Sequence, residues 1–144
     1  LMLFRLGGSR SSSEIQKSNI SDIDKNSVKQ KSFKEMIQLA VEMKESLLKG
    51  NVKHFADLLH ESWVIKKRMN NGVTNEFVED CYNTAKDLGA LGGKLLGAGE
   101  SGYLLIYSSP LYQKKIKSAL EKKGASQELF KFSSTGLEVW STKR

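Results

Sequence analysis

The 144-residue chain holds one cysteine, one proline and two histidines. The lone thiol, Cys81, excludes an internal disulfide and any cysteine-based zinc cluster, and its place in an apolar pattern reads as a buried thiol in a reducing compartment. His54 and His60 are six apart, so on a helix they lie on different faces and cannot ligate one ion. The run His60-Glu61-Ser62-Trp63-Val64 also lacks the second histidine, four residues on, that a helix-borne zinc protease requires. No Ser-His-Asp order and no paired carboxylates stand out. Long apolar stretches are missing too. Leu1-Met2-Leu3-Phe4 and Tyr103-Leu104-Leu105-Ile106-Tyr107 end far short of the about 20 residues that cross a bilayer. The opening has neither a basic region nor an ordered small-residue cleavage site, so no secretory signal is expected. These absences point to the cytoplasm and to no membrane partner.

Hydrophobic residues make up 39% and charged residues 27%, a globular composition, so residues 1–144 are expected to form one domain around one core. Lysine and arginine number 23 against 16 acids, a net charge of +7. Such a balance favours anionic partners, phosphate among them. The lysines are scattered over helical faces and are not gathered in a block with interleaved aromatics. Nucleic acid is therefore not expected as a partner, and a steep salt-dependent affinity for oligonucleotides would be needed to restore that reading.

Residues Leu1 to Leu6 read as a strand without any polar lead-in, an opening that looks cut from something longer. Gly7 to Arg10 read as a turn, and Ser11 with Glu14 fits a capping box that starts a short helix. Ser18 to Lys31 is polar and reads as a loosely held connector. Phe33, Met36, Ile37, Ala40, Val41, Met43, Leu47 and Leu48 then mark an amphipathic helix ended by Gly50. Ser32 with Glu35 offers its capping box, although Ser27 could start it earlier. A second helix runs from Val52 to Met69 before Asn70-Asn71-Gly72. A third, capped by Thr74, carries Phe77, Val78, Cys81, Ala85 and Leu88 and closes at Gly89. Strands are expected at Lys94–Leu96 and Tyr103–Tyr107. Ser109 and Pro110 start a fourth helix that ends at Gly124. Leu129–Phe132 and Leu137–Trp140 alternate around Ser133–Gly136 and predict a terminal hairpin. The order β-ααα-ββ-α-ββ predicts an α+β fold, a mostly antiparallel sheet with helices packed on one face, and its later part has a ferredoxin-like grouping.

The segment Gly97-Ala98-Gly99-Glu100-Ser101-Gly102 matches G-x-G-x-x-G, yet a dinucleotide fingerprint requires a helix after the glycines and here a strand follows. A P-loop requires lysine at the loop's end, whereas Lys94 precedes it. What remains is a loop whose glycines let backbone amides approach an anion, with Lys94 adding charge nearby. A plain glycine-rich hairpin joining Leu96 to Tyr103 is the alternative. His60 on its own reads as a structural histidine bonded to a nearby carbonyl, and Lys66, Lys67 and Arg68 read as a solvated helix end favoured by the dipole. Arg10, at a strand-to-helix turn, could hold an anion, although capping alone explains the serines beside it.

Taken together, Leu58-Leu59-His60-Glu61-Ser62-Trp63, Lys66-Lys67 and Gly89-Ala90-Leu91-Gly92-Gly93-Lys94-Leu95-Leu96-Gly97-Ala98-Gly99 resemble the C-terminal half of GHMP-family sugar kinases, and among them the D-glycero-D-manno-heptose phosphate kinases. The opening Leu3-Phe4, Gly7, Ser9 to Ser13 and Ile15 resemble the start of that half. The resemblance implies ATP-dependent phosphoryl transfer to a sugar hydroxyl of a heptose phosphate, with ATP and Mg2+ as cofactors. It places Gly97, Gly99, Ser101 and Gly102 in the family's third motif beside the nucleotide, and makes Arg10, His60, Glu61, Trp63, Lys66 and Lys94 candidates for binding the sugar phosphate. Glu100 departs from the usual glycine, and a carboxylate there repels a triphosphate unless it is turned away or paired. The family's Pro-Gly-Ser-Ser nucleotide loop and catalytic aspartate have no match here. The resemblance therefore implies that the N-terminal kinase half is the missing partner and that the chain alone has negligible activity. Apolar surface left by that half makes a homo-oligomer a second expectation. A non-catalytic ferredoxin-like binding or regulatory module is the alternative.

Overall fold

A computed structural model describes residues 1–7, 27–69, 72–97, 99 and 101–140. The order is β1 (Met2–Arg5), α1 (Ser27–Leu48), α2 (Val52–Met69), α3 (Glu76–Asp87), β2 (Ala90–Leu95), β3 (Tyr103–Ser108), α4 (Pro110–Lys122) and β4 (Ser126–Glu128). The four strands form one antiparallel sheet in the order β2-β3-β1-β4. Met2 faces Ile106 and Phe4 faces Leu104 across β1 and β3. Their side chains, alternating along each strand, build one apolar face with Leu95. Onto that face pack Val78, Cys81, Tyr82 and Ala85 of α3, Ile116 and Leu120 of α4, and Trp63 of α2, in a single core cluster. Helix α1 packs on α2. Among the described residues no helix is long and apolar enough to cross a membrane.

The expected α+β class and antiparallel sheet stand, and several boundaries move. Strand β2 begins at Ala90 instead of Lys94, because Gly92 and Gly93 belong to it. A Cβ on Gly92 would fall 1.9 Å from the Ala56 carbonyl oxygen of α2, and one on Gly93 would fall 2.5 Å from the Leu105 carbonyl oxygen. The two glycines therefore mark where a helix backbone and a neighbouring strand come closest, and a bulge between Ala90 and Gly92 adjusts the register. Helix α1 starts at Ser27, so residues 27–31 of the expected connector are helical, and the Ser32–Glu35 box is not a cap. Arg68 of α2 donates instead to Glu35 and, at 3.3 Å, to the buried Ser32 hydroxyl. The cap of α3 is Asn75, whose side chain accepts from the Val78 amide at 2.9 Å, while Thr74 donates to Glu79 at 2.8 Å. Pro110 opens α4 as expected, but Ser109 makes no side-chain capping bond.

The terminal hairpin is absent. Beyond β4, residues 129–140 form no strand, and Leu129, Phe132, Leu137, Val139 and Trp140 are all exposed. Alternation specifies a strand only where one face can be buried, and beyond β1 the sheet is extended by β4 alone, which pairs Ser126–Glu128 with Leu3–Arg5. Arg10, the Ser11–Glu14 box with its short helix, and Glu100 lie outside the described residues.

Candidate functional site

Helix α2 brings His60, Trp63, Lys66 and Lys67 to one flank, since residues three and four apart share a helix face. Trp63 is fully buried in the core cluster, its ring 6.4 Å from that of Tyr82 on α3. The ammonium groups of Lys66 and Lys67 lie 6.0 and 5.5 Å from the indole, within cation–π range. His60 Nδ1 lies 2.6 Å from the Tyr82 hydroxyl, not at the carbonyl that a lone histidine suggests. Burial, followed by the charges of Lys86 and Lys67, lowers the His60 pKa, and burial, followed by Glu79, pushes Tyr82 up to about 12. Imidazole and phenol therefore both stay neutral near pH 7 and share one hydrogen bond.

The expected solvated helix end is also corrected, because each of its three cations has a partner on a distant element. Lys67 pairs with Glu79 of α3 at 2.9 Å and Arg68 reaches Glu35 of α1. Lys66 Nζ donates to two main-chain carbonyls, Leu95 at 3.0 Å and Gly97 at 2.7 Å, where β2 runs into the glycine loop. Burial lowers the Lys66 pKa to about 8, with the nearby Lys94 charge acting in the same direction. Burial lowers Lys94 as well. Two partly desolvated ammonium groups beside one loop repel each other, and an anion placed there relieves that repulsion.

The loop between β2 and β3 is held at three points. Lys66 takes its entrance. Beneath its centre, Gly99 has φ +117° and is so close to Val73 that a Cβ would lie 2.6 Å from the Val73 carbonyl oxygen. At its exit the Gly102 carbonyl accepts from the Leu6 amide at 2.9 Å, and the Leu96 amide donates to the Tyr103 carbonyl at 2.7 Å. Gly97 and Gly102 also have positive φ, +78° and +117°, and the Ser101 amide donates to the Gly99 carbonyl at 2.7 Å. Such a backbone is open to glycine and strained for other residues.

Of the candidate residues, Gly97, Gly99, Ser101 and Gly102 share the loop between β2 and β3, Lys66 bonds its entrance, and the charge of Lys94 acts on Lys66. His60 and Trp63 are joined to Tyr82, with Trp63 inside the core, and Glu61 lies on the exposed side of α2. Tyr82 and Val73 are the residues that sequence reasoning passed over. Tyr82 lies four residues beyond Val78 on the apolar stripe of α3, which is the signal that could have flagged it, whereas nothing in the sequence marks Val73 as the floor of the loop. Among the described residues no group of three His, Cys, Asp or Glu side chains could hold a metal ion.

A family model described as GHMP kinases C terminal matches residues 43–126. The chain is 33% identical over 103 residues to the D-glycero-alpha-D-manno-heptose 7-phosphate kinase of Campylobacter jejuni, covering 72% of this chain and 30% of that protein. It is 28% identical over 92 residues to a bifunctional fucokinase/GDP-fucose pyrophosphorylase of Arabidopsis thaliana, 63% of this chain and 9% of that one. Among solved structures, mevalonate kinase of L. major superposes with a TM-score of 0.70 at 20% identity, over 85% of this chain and 38% of that one. The Lin0012 protein of Listeria innocua gives 0.79 at 13% identity, over 90% and 38%. The chain thus spans well under half the length of these relatives.

Proposed function

Because the chain belongs to the GHMP kinases, matching their C-terminal region, we propose that it supplies the C-terminal lobe of an ATP-dependent sugar kinase acting on a heptose phosphate in the cytoplasm. The observation that carries this reading is the cationic glycine loop: Lys66 bonds the Gly97 carbonyl and feels the charge of Lys94, and Gly97, Gly99 and Gly102 have no side chains that would block a phosphate. In phosphoryl transfer the protein's contribution is chiefly positioning and electrostatic stabilisation, and this site offers both to the anionic tail of ATP. Magnesium, when bound with the nucleotide, neutralises phosphate charge, and the chain's own part is the ammonium groups and main chain of the loop. His60 and Glu61 remain the proposed sugar-side contacts, Trp63 supports them from the core, and Arg10 is proposed as a further phosphate contact.

The fold also supports a partner. Phe33, Ile37 and Val41 form an exposed stripe on α1 at every fourth position, and residues 129–140 carry a second group of exposed large apolar side chains. We propose that these exposed apolar groups meet the ATP-binding N-terminal lobe, with self-association as the outcome where that lobe is lacking. The test is a chimera in which this chain replaces the matching segment of the Campylobacter jejuni heptose 7-phosphate kinase. ATP turnover with heptose 7-phosphate, abolished when Gly97 and Gly102 are both changed to valine, supports the reading. A folded chimera that is inactive while the isolated chain binds sugar phosphates favours the non-catalytic module instead.

A further inference from the structure

Lys66 sits 29 and 31 residues from the two carbonyls it holds, so its bonds are tertiary and not a by-product of local chain geometry. We propose that Lys66 is the positioning residue of the glycine loop, its ammonium clamping the Leu95 and Gly97 carbonyls so that the loop's entrance is fixed before an anion arrives. This deepens the phosphate-site reading and rests on it for its consequence, though not for the clamp itself. A carbonyl oxygen carries partial negative charge and would repel phosphate, and two of them are turned onto one cation. The loop is thereby pre-formed, with less ordering left to be done on binding. Lys94 of β2 is the charged group that acts on Lys66 from outside its helix, and the Trp63 ring lies 6.0 Å from the ammonium on the helix itself. A lysine held this way differs from an arginine, which stays charged at any accessible pH.

The experiment uses the full 144-residue chain, with Lys66→Met and Lys66→Arg variants. Amide hydrogen exchange is read over the loop and, as an internal control for folding, over β3, from about pH 6.5 to about pH 9.5 after correction for intrinsic rates. Inorganic tripolyphosphate affinity is measured in parallel. The clamp predicts that Lys66→Met speeds loop exchange by at least about tenfold while β3 protection holds, and that Lys66→Arg restores most of it. It predicts further that wild-type loop protection falls above about pH 8 and that of the arginine variant does not. Unchanged loop exchange in Lys66→Met, or a parallel pH profile for wild type and Lys66→Arg, overturns the clamp. Should the methionine variant fail to fold, the wild-type and arginine profiles decide alone. A loop held by Lys66 that binds no tripolyphosphate supports the clamp and overturns the nucleotide reading.

Discussion

Helices α2 and α4 both carry several cations, and they use them differently. At the end of α2, Lys66, Lys67 and Arg68 each reach another element, to the mouth of the glycine loop, to α3 and to α1. On α4, Lys117 pairs with Glu121 of its own helix, and Lys115 lies over the ring of Tyr112, one turn earlier on that helix. Lys123, at the cap of α4, does cross to another helix, meeting Asp80 at 2.7 Å. A positive charge count thus says little about where an anion binds. What distinguishes the two helices is whether the cation is partly desolvated and tied to backbone that a ligand could also touch.

The largest expected effect comes from separating α2 from the sheet. Gly92→Ala drives a methyl into the Ala56 carbonyl and is expected to cost about 3 kcal/mol in denaturant unfolding, and to release Lys66 from the loop as α2 is pushed off β2. Gly99→Val, at positive φ and against Val73, is expected to cost a similar or slightly smaller amount and to remove tripolyphosphate binding in calorimetry. Next in size, a double-mutant cycle on Lys67 and Glu79, both about a third exposed or less, is expected to give a coupling of about 1 kcal/mol. The same cycle on the more exposed Lys117 and Glu121 is expected to give less than about 0.5 kcal/mol. Equal couplings would erase the contrast between the two helices.

A pH series sharpens the contrast further. His60 has a lowered pKa in the fold, so its share of stability is present above pH 6.5 and is lost as pH falls from there through the folded value, because the unfolded chain takes up the proton first. Tyr82→Phe, which removes its partner, is expected to cost about 1 kcal/mol at pH 7 and to leave a smaller acid dependence. Lys66 runs on the alkaline side: the unfolded chain keeps the proton up to about 10.5 and the fold releases it near 8, so its contribution to stability rises across that window while the loop loosens.

Helix positions are legible in the sequence because their signals are local. Apolar spacing places α2, the Ser109-Pro110 pair places α4, and the run Tyr103–Tyr107 places β3. The differences fall where tertiary contact decides. Ser32 and Glu35 have the form of a capping box but bond to Arg68, which lies on another helix. Gly92 and Gly93 look like loop and are strand, because what they answer to is the approach of Ala56 and Leu105. Leu129 to Trp140 has the form of a hairpin without a face to cover it. At the site, the glycines and Lys94 are visible as a motif, whereas the role of Lys66 is masked by its place in a run of cations, and Tyr82 and Val73 act only through the packing of α3 and the turn before it.

The most direct test of the central claim is a titration of the isotope-labelled chain with ATP and magnesium, followed residue by residue through backbone amide shifts. The strongest perturbations are expected on Gly97, Gly99, Ser101 and Gly102, with Lys66 and Lys94 responding alongside. Perturbations concentrated on Lys114, Lys115 and Lys122 of α4, with the glycine loop silent, would contradict it.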